Sequence, residues 1–263
     1  MPTPAIRDQI VDELFDAYAT HTPIKPLKPR LPDIDVAAAY EIQREFVRRK
    51  LAQGRKIVGY KVGLTSKAMQ DFAGSTEPDF SVLTDDLLLP EGTPIAHGAL
   101  FRPLVELEIA FVMKAPLQGP GVTVVDVLRA TDFVLPAIEM VDMRVERGPG
   151  MSLVDNIADL AYCGAAILGG TPRRLDQIDI RAVSGALSVN GELKHEGVAS
   201  AVMGNPVTVV AWLANKLSEF DVTFEAGQVI LTGSFVPAVP VSAGDDVLCR
   251  FDQGLGDVAV SFT

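Results

Sequence analysis

The segment LVELEIAFVM, residues 104–113, alternates apolar and polar positions through its first half and reads as a β-strand with two unlike faces. Side chains on a strand point to opposite sides in turn, so Val105, Leu107, Ile109 and Phe111 share one face and Glu106 and Glu108 the other. The two carboxylates stand about 7 Å apart along the strand. If buried, they repel one another and lose hydration, which a cation or water must offset. On this segment alone, a row of acids facing solvent on an antiparallel sheet is the plainer reading.

Moving outward, FVLPAIEMVDM (133–143) is a second apolar run, interrupted by Glu139 between Ile138 and Met140. An acid there needs a partner. Three carboxylates without a His or Cys cluster suit the oxygen-seeking ions Mg²⁺ or Mn²⁺ better than Zn²⁺, and leave octahedral positions for water and a chelating substrate. Upstream, IVGYKVGLTS (57–66) places Val58, Tyr60 and Val62 on one face and Gly59, Lys61 and Gly63 on the other. Lys61 is then a lone cation with no side chain on either side, open to a ligand. A lysine guarding a twisted edge strand reads as well. In TEPDFSVL (76–83), Asp79 is placed in a loop before an apolar stretch, either as a general acid or base or as a turn residue.

The remaining texture gives an α+β class. Short β-rich runs follow from Lys56 to the end, and Asn190-Gly191 marks a hairpin with a type I′ turn. Helices are expected at VVDVLRA (124–130) and PVTVVAWLANKL (206–217), the latter with Asn205 as cap and Pro206 in the first turn. Before Lys56, Thr3-Pro4 starts a helix carrying Ile6, Ile10, Leu14 and Ala17. The Pro-rich stretch THTPIKPLKPRLPDID (20–35) reads as an extended arm, and a second helix shows Val36, Tyr40, Val47 and Leu51 on one side, stopped at Gly54. The expected organisation is an N-terminal helical arm, 1–55, and a metal-binding β-rich catalytic domain, 56–263.

Across 263 residues the net charge is −11, and no basic cluster with interleaved aromatics is present, so nucleic acid is not an expected partner. No apolar run reaches the roughly 20 residues of a membrane span. The opening residues lack the pattern of a secretory leader, and a cytoplasmic location is expected. Cys163 and Cys249 lack CxxC spacing and read as buried thiols.

The motifs GYKVGLTSKAMQ, TEPDF, RPLVELEIAFVMKAPLQGPG, ATDFVLPAIEMVDMR, AAILGG, VAWLANKL and EAGQVILTGSF, in this order over nearly the whole chain, resemble the fumarylacetoacetate hydrolase superfamily. Within it, they are most similar to the hydratase and decarboxylase branch of aromatic meta-cleavage pathways. The resemblance implies a mixed β-roll and Mg²⁺ or Mn²⁺ held by Glu106, Glu108 and Glu139. It implies roles for Lys61 and Asp79 beside a 2-oxo or 2-hydroxy acid, and substrate contacts at Thr232 and Ser234. The implied activity is addition of water to a 2-hydroxy-2,4-dienoate, with 2-oxohept-4-ene-1,7-dioate the best-matching substrate. The alternatives are decarboxylation of 2-oxohex-3-enedioate and a non-catalytic binding relative. Homo-oligomers, pentameric or decameric, and a pathway decarboxylase are the implied partners. The chain departs from the pattern at Leu160, where Asn is usual, and at Asn205, where His is usual. His21, His97 and His195 match no motif of the family.

Overall fold

The computed structural model describes residues 3–263. The Thr3 hydroxyl accepts a hydrogen bond from the Ile6 amide and Pro4 fills the first turn, so helix α1 runs Pro4–Thr20. The stretch expected to be an extended arm instead contains one helical turn, α2 (Leu27–Arg30). A long-range partner accounts for it: the Asp155 carboxylate accepts from the Leu27 amide at 2.6 Å.

Helix α3 (Val36–Ala52) starts at Asp35, whose carboxylate caps the Ala38 amide at 2.8 Å. Its buried side differs from the expected one. Tyr40 and Val47 are buried, but Val36 and Leu51 are each 38% exposed, whereas Gln43 and Lys50 lie inside. Polar residues enter the core here because each has a partner: Gln43 donates to two backbone carbonyls and Lys50 pairs with Asp86 at 2.9 Å. Phe46 stacks on Phe15 of α1 with ring centroids 4.4 Å apart, joining the two helices.

The rest of the chain alternates strands with short helices. In order these are β1 (Ile57–Gly63), α4 (Lys67–Ala73), β2 (Asp79–Thr84), β3 (Leu88–Leu89), β4 (Leu104–Met113), α5 (Val124–Ala130), β5 (Thr131–Val141) and α6 (Leu153–Ala158). They continue with β6 (Cys163–Leu168), β7 (Ser184–Val189), β8 (Glu192–Val198), α7 (Pro206–Leu217), β9 (Val229–Leu231), β10 (Val239–Pro240), β11 (Asp246–Phe251) and β12 (Gly256–Ser261). Both helices expected in this region form, and the Asn205 side chain caps α7 through the Val207 amide. Asn190 and Gly191 take φ of 52° and 78° between β7 and β8, as a type I′ hairpin requires.

Eight strands form one sheet along the path β2-β1-β9-β4-β5-β6-β3, with β10 added to β4; four form a second, β12-β11-β7-β8. Pairing is antiparallel except at β1/β9 and β3/β6, which makes the large sheet mixed and the class α+β. The apolar face of β4 turns toward the small sheet, where Leu107 packs against Gly185 of β7 so closely that a Cβ there would meet it at 2.9 Å. The acidic face of β4 therefore points the other way.

Candidate active site

In the β4/β5 ladder Glu106 sits directly opposite Glu139, and Glu108 opposite Ala137. Directly paired residues project to the same side of a sheet, so all three acids converge. One oxygen from each lies within 4.8 Å of the others. Glu108 and Glu139 are fully buried and Glu106 is half-buried, so a solvent-facing row is ruled out.

The cluster has too few partners of its own. Glu108 Oε2 accepts from the Gly233 amide at 2.8 Å, but Glu108 Oε1 and both oxygens of Glu139 accept no well-formed hydrogen bond. Burial and the neighbouring Glu139 charge push Glu106 up to about 7 and Glu108 well above the usual carboxylate range. Mutually repelling oxygens, short of donors and with no soft ligand among them, fit one hard divalent cation.

Lys61 is not on an edge: β1 lies between β2 and β9. Its ammonium stands 3.0 Å from Glu139 Oε1. Strands β1 and β5 are three steps apart in the sheet, roughly 14 Å if it were flat. A buried ion pair across that interval requires a strong curl, which is what makes the sheet a roll. Burial pulls the lysine pKa down, but the Glu139 and Asp79 carboxylates outweigh it and hold the side chain charged.

The gaps beside Lys61 are filled by protein rather than left for a ligand. A Cβ at Gly59 would strike the Val229 carbonyl of β9, and one at Gly63 would strike the Asp79 carboxylate. Asp79 itself is not in a loop. It opens β2, paired with Gly63, and is 2% exposed. Burial pushes it up to about 6, against the pull of the Lys61 ammonium. Its Oδ2 accepts from the Asn156 amide, while Oδ1 has no well-formed partner.

Thr232 and Ser234 flank this centre with their hydroxyls engaged by the backbone: Thr232 donates to the Ile109 carbonyl at 3.0 Å and Ser234 to the Val236 carbonyl at 2.7 Å. What the turn presents to the acids is the Gly233 amide. Gly233 has φ of 92°, and a Cβ there would run into Thr65. Sequence reasoning overlooked Gly233, although a glycine between two hydroxyl residues at a strand end is a usable signal; for Asn156, in a short and mostly apolar helix, there was none.

Leu160 is buried and begins three consecutive left-handed residues, with φ of 53°, 47° and 56° through Tyr162. This costly turn is clamped by buried Arg144, which bonds the Asp159 carboxylate at 2.6 Å, the Asp159 carbonyl at 2.9 Å and the Cys163 carbonyl at 3.1 Å. His97 meets the Val241 carbonyl, His21 stacks near Phe101 and His195 lies on β8. Among the described residues none of the three hydrogen-bonds to the carboxylates.

Several known proteins resemble the chain over its full length. The 2-oxo-hept-4-ene-1,7-dioate hydratase of Escherichia coli is 42% identical over 259 residues, 96% of each chain. The 2-hydroxyhexa-2,4-dienoate hydratase of Comamonas testosteroni is 40% identical over 95% of each. Among solved structures, the 4-oxalocrotonate decarboxylase of Pseudomonas putida G7, complexed with magnesium and adipate, superposes with a TM-score of 0.95 at 36% identity, covering 100% of this chain and 99% of that one. Residues 52–263, which carry the carboxylate cluster, Lys61, Asp79 and the Gly233 turn, match the fumarylacetoacetate (FAA) hydrolase C-terminal family, and the chain belongs to it.

Proposed function

We propose that the protein is a metal-dependent hydratase that adds water to a 2-hydroxy-2,4-dienoate or its 2-oxo-4-enoate tautomer, with 2-oxohept-4-ene-1,7-dioate as the best candidate substrate. The observation that carries this reading is the buried Glu106, Glu108 and Glu139 cluster with charged Lys61 against it and Asp79 beside that lysine. Relatives named as hydratases at 42% and 40% identity support the reaction class. The magnesium in the decarboxylase structure supports a divalent ion, and we assign Mg²⁺ or Mn²⁺ to the three carboxylates.

A divalent cation held by Glu106, Glu108 and Glu139 would supply Lewis-acid polarisation to a bound 2-oxo acid. Lys61 places a fixed positive charge in a water-poor site, where it stabilises negative charge building on the substrate enolate. Asp79 Oδ1, buried and poised at about 6, exchanges the proton between the adding water and substrate carbon. Thr232 and Ser234 shape the turn that aims Gly233 and line the substrate side of the site. Assembly into a pentamer or decamer belongs to the same reading and is tested by light scattering.

A second reading, decarboxylation of 4-oxalocrotonate, is favoured by the likeness to the decarboxylase structure. One assay separates them: purified protein with Mg²⁺ is given a panel of 2-hydroxydienoates and 2-oxoenedioates while dienoate absorbance and carbon dioxide are followed. Loss of absorbance without gas is the expected result. Gas release from the enedioate overturns hydration in favour of decarboxylation. No turnover in any member, or full activity of Glu106→Gln, Glu108→Gln or Glu139→Gln, overturns the reading altogether.

A further inference from the structure

Asp79 is held by a neighbour whose own spacing is set from outside the residues that the family match covers. Its Oδ2 takes a hydrogen bond from the Asn156 side chain on α6. The amide orientation is settled by chemistry, since the opposite flip would set a carbonyl oxygen against a carboxylate. With Oδ2 occupied, Oδ1 is the oxygen left for a proton. The spacing between α6 and β2 is itself fixed by a third residue. Gln43 of α3, 2% exposed, donates to the Ile157 carbonyl at 2.7 Å and to the Phe80 carbonyl at 3.1 Å. Those carbonyls belong to the residues immediately after Asn156 and Asp79, so one buried amide ties together the backbones that carry the pair. The Asp155 carboxylate, bonded to the Leu27 amide of α2, anchors the same helix to the N-terminal region.

We infer that Asn156 is a positioning residue for Asp79 and that Gln43 sets the distance between them, so that the N-terminal helices, outside the matched residues 52–263, help build the proton-transfer group. The inference rests on the reading of Asp79 as that group. Buried amides bridging two carbonyls are usually stabilising alone; the difference here is that their loss shows in the chemistry before it shows in metal binding. A carboxylate displaced by about 1 Å costs on the order of 10²-fold in rate.

The experiment is a double-mutant cycle on the Mg²⁺-loaded full chain, using whichever dienoate or enedioate is turned over, with crystal structures of the variants alongside. Asn156→Ala lowers kcat by about 10²-fold, leaves KM and Mg²⁺ affinity within about twofold, and lets the Asp79 side chain leave its rotamer. Gln43→Met lowers kcat by about tenfold with the same pattern. In an Asp79→Asn background neither change lowers the rate further. If Asn156→Ala unfolds the chain, Asn156→Ser, too short to reach Asp79, takes its place. The inference is overturned if Asn156→Ala keeps kcat within threefold, if its loss multiplies that of Asp79→Asn, or if Asp79 keeps its rotamer without Asn156. Full activity of Asp79→Asn instead overturns the underlying role of Asp79, a result separate from either of the others.

Discussion

Withdrawing the divalent cation should make the folded protein less stable as pH rises toward neutrality, the reverse of the usual behaviour of carboxylates. Glu106 has a pKa of about 7 in the fold, against 4.5 when exposed, because of burial and the Glu139 charge. Between those values the folded chain holds a proton that the unfolded chain has released. Stability is therefore full below about 4.5 and is lost as pH rises through 7. Complete burial would make this about 3 kcal/mol, and the half-exposure of Glu106 reduces the working figure to about 2 kcal/mol. For a chain of this size that is a fall of about 4–8 °C in Tm between pH 4.5 and 7.5. Salt-bridged acids such as Glu45, held down to about 2 by Arg48 and Arg49, gain their stability below this window and do not mask it. Differential scanning calorimetry in chelator and in saturating Mg²⁺ measures the effect. Mg²⁺ should remove most of the fall, because the ion replaces the protons on the glutamates, leaving the smaller part that comes from Asp79, raised to about 6. Glu108→Gln in chelator should melt higher than the parent at pH 7.5, since the cost of burying an acid whose pKa is raised well above the usual carboxylate range is gone. A chelated Tm that is flat or rises from pH 4.5 to 7.5, or Mg²⁺ without effect at pH 7.5, refutes the argument.

Gly63→Ala drives a methyl into the Asp79 carboxylate; kcat should fall by about 10²-fold with Mg²⁺ affinity retained, measured by steady-state kinetics and calorimetric titration. Arg144→Met leaves Asp159 buried without its cation and unclamps the left-handed turn; urea unfolding should show a loss of about 3–5 kcal/mol, and a loss below about 1 kcal/mol would contradict the clamp. Asn205→Ala removes the α7 cap and should cost about 1 kcal/mol while leaving kcat unchanged, which would also show that the position does no chemistry.

What could be read from the chain was what local period encodes. Alternation in residues 104–113 placed Glu106 and Glu108 together, and capping and turn chemistry located α1, α7 and the 190–191 hairpin. The α3 face was misread because Gln43 and Lys50 look like surface residues until their distant partners, Phe80, Ile157 and Asp86, are known. Asp79 resembled a turn acid because Pro78 precedes it, yet pairing with Gly63 draws it into a strand. The Gly233 amide is a backbone donor, marked in the sequence only by a glycine set between two hydroxyl residues. The convergence of Lys61 on Glu139 depends on sheet curl, a property of strands far apart in sequence.

The short strand β9 has a consequence for how the protein is made. It hydrogen-bonds to β1 on one side, with Gly59 beside Val229, and to β4 on the other. Until about 230 residues have left the ribosome, β1 and β4 lack the strand that joins them, so Lys61 cannot yet be brought to the glutamates through the sheet. Closing a loop of some 170 residues is slow and opposed by chain entropy, a topology that favours late, cooperative folding over stepwise assembly. A ribosome-bound chain stalled before Val229 should therefore bind Mg²⁺ more weakly than the finished protein, lacking the Lys61–Glu139 pair and the Gly233 amide, and release from the stall should bring full metal affinity and protease resistance together.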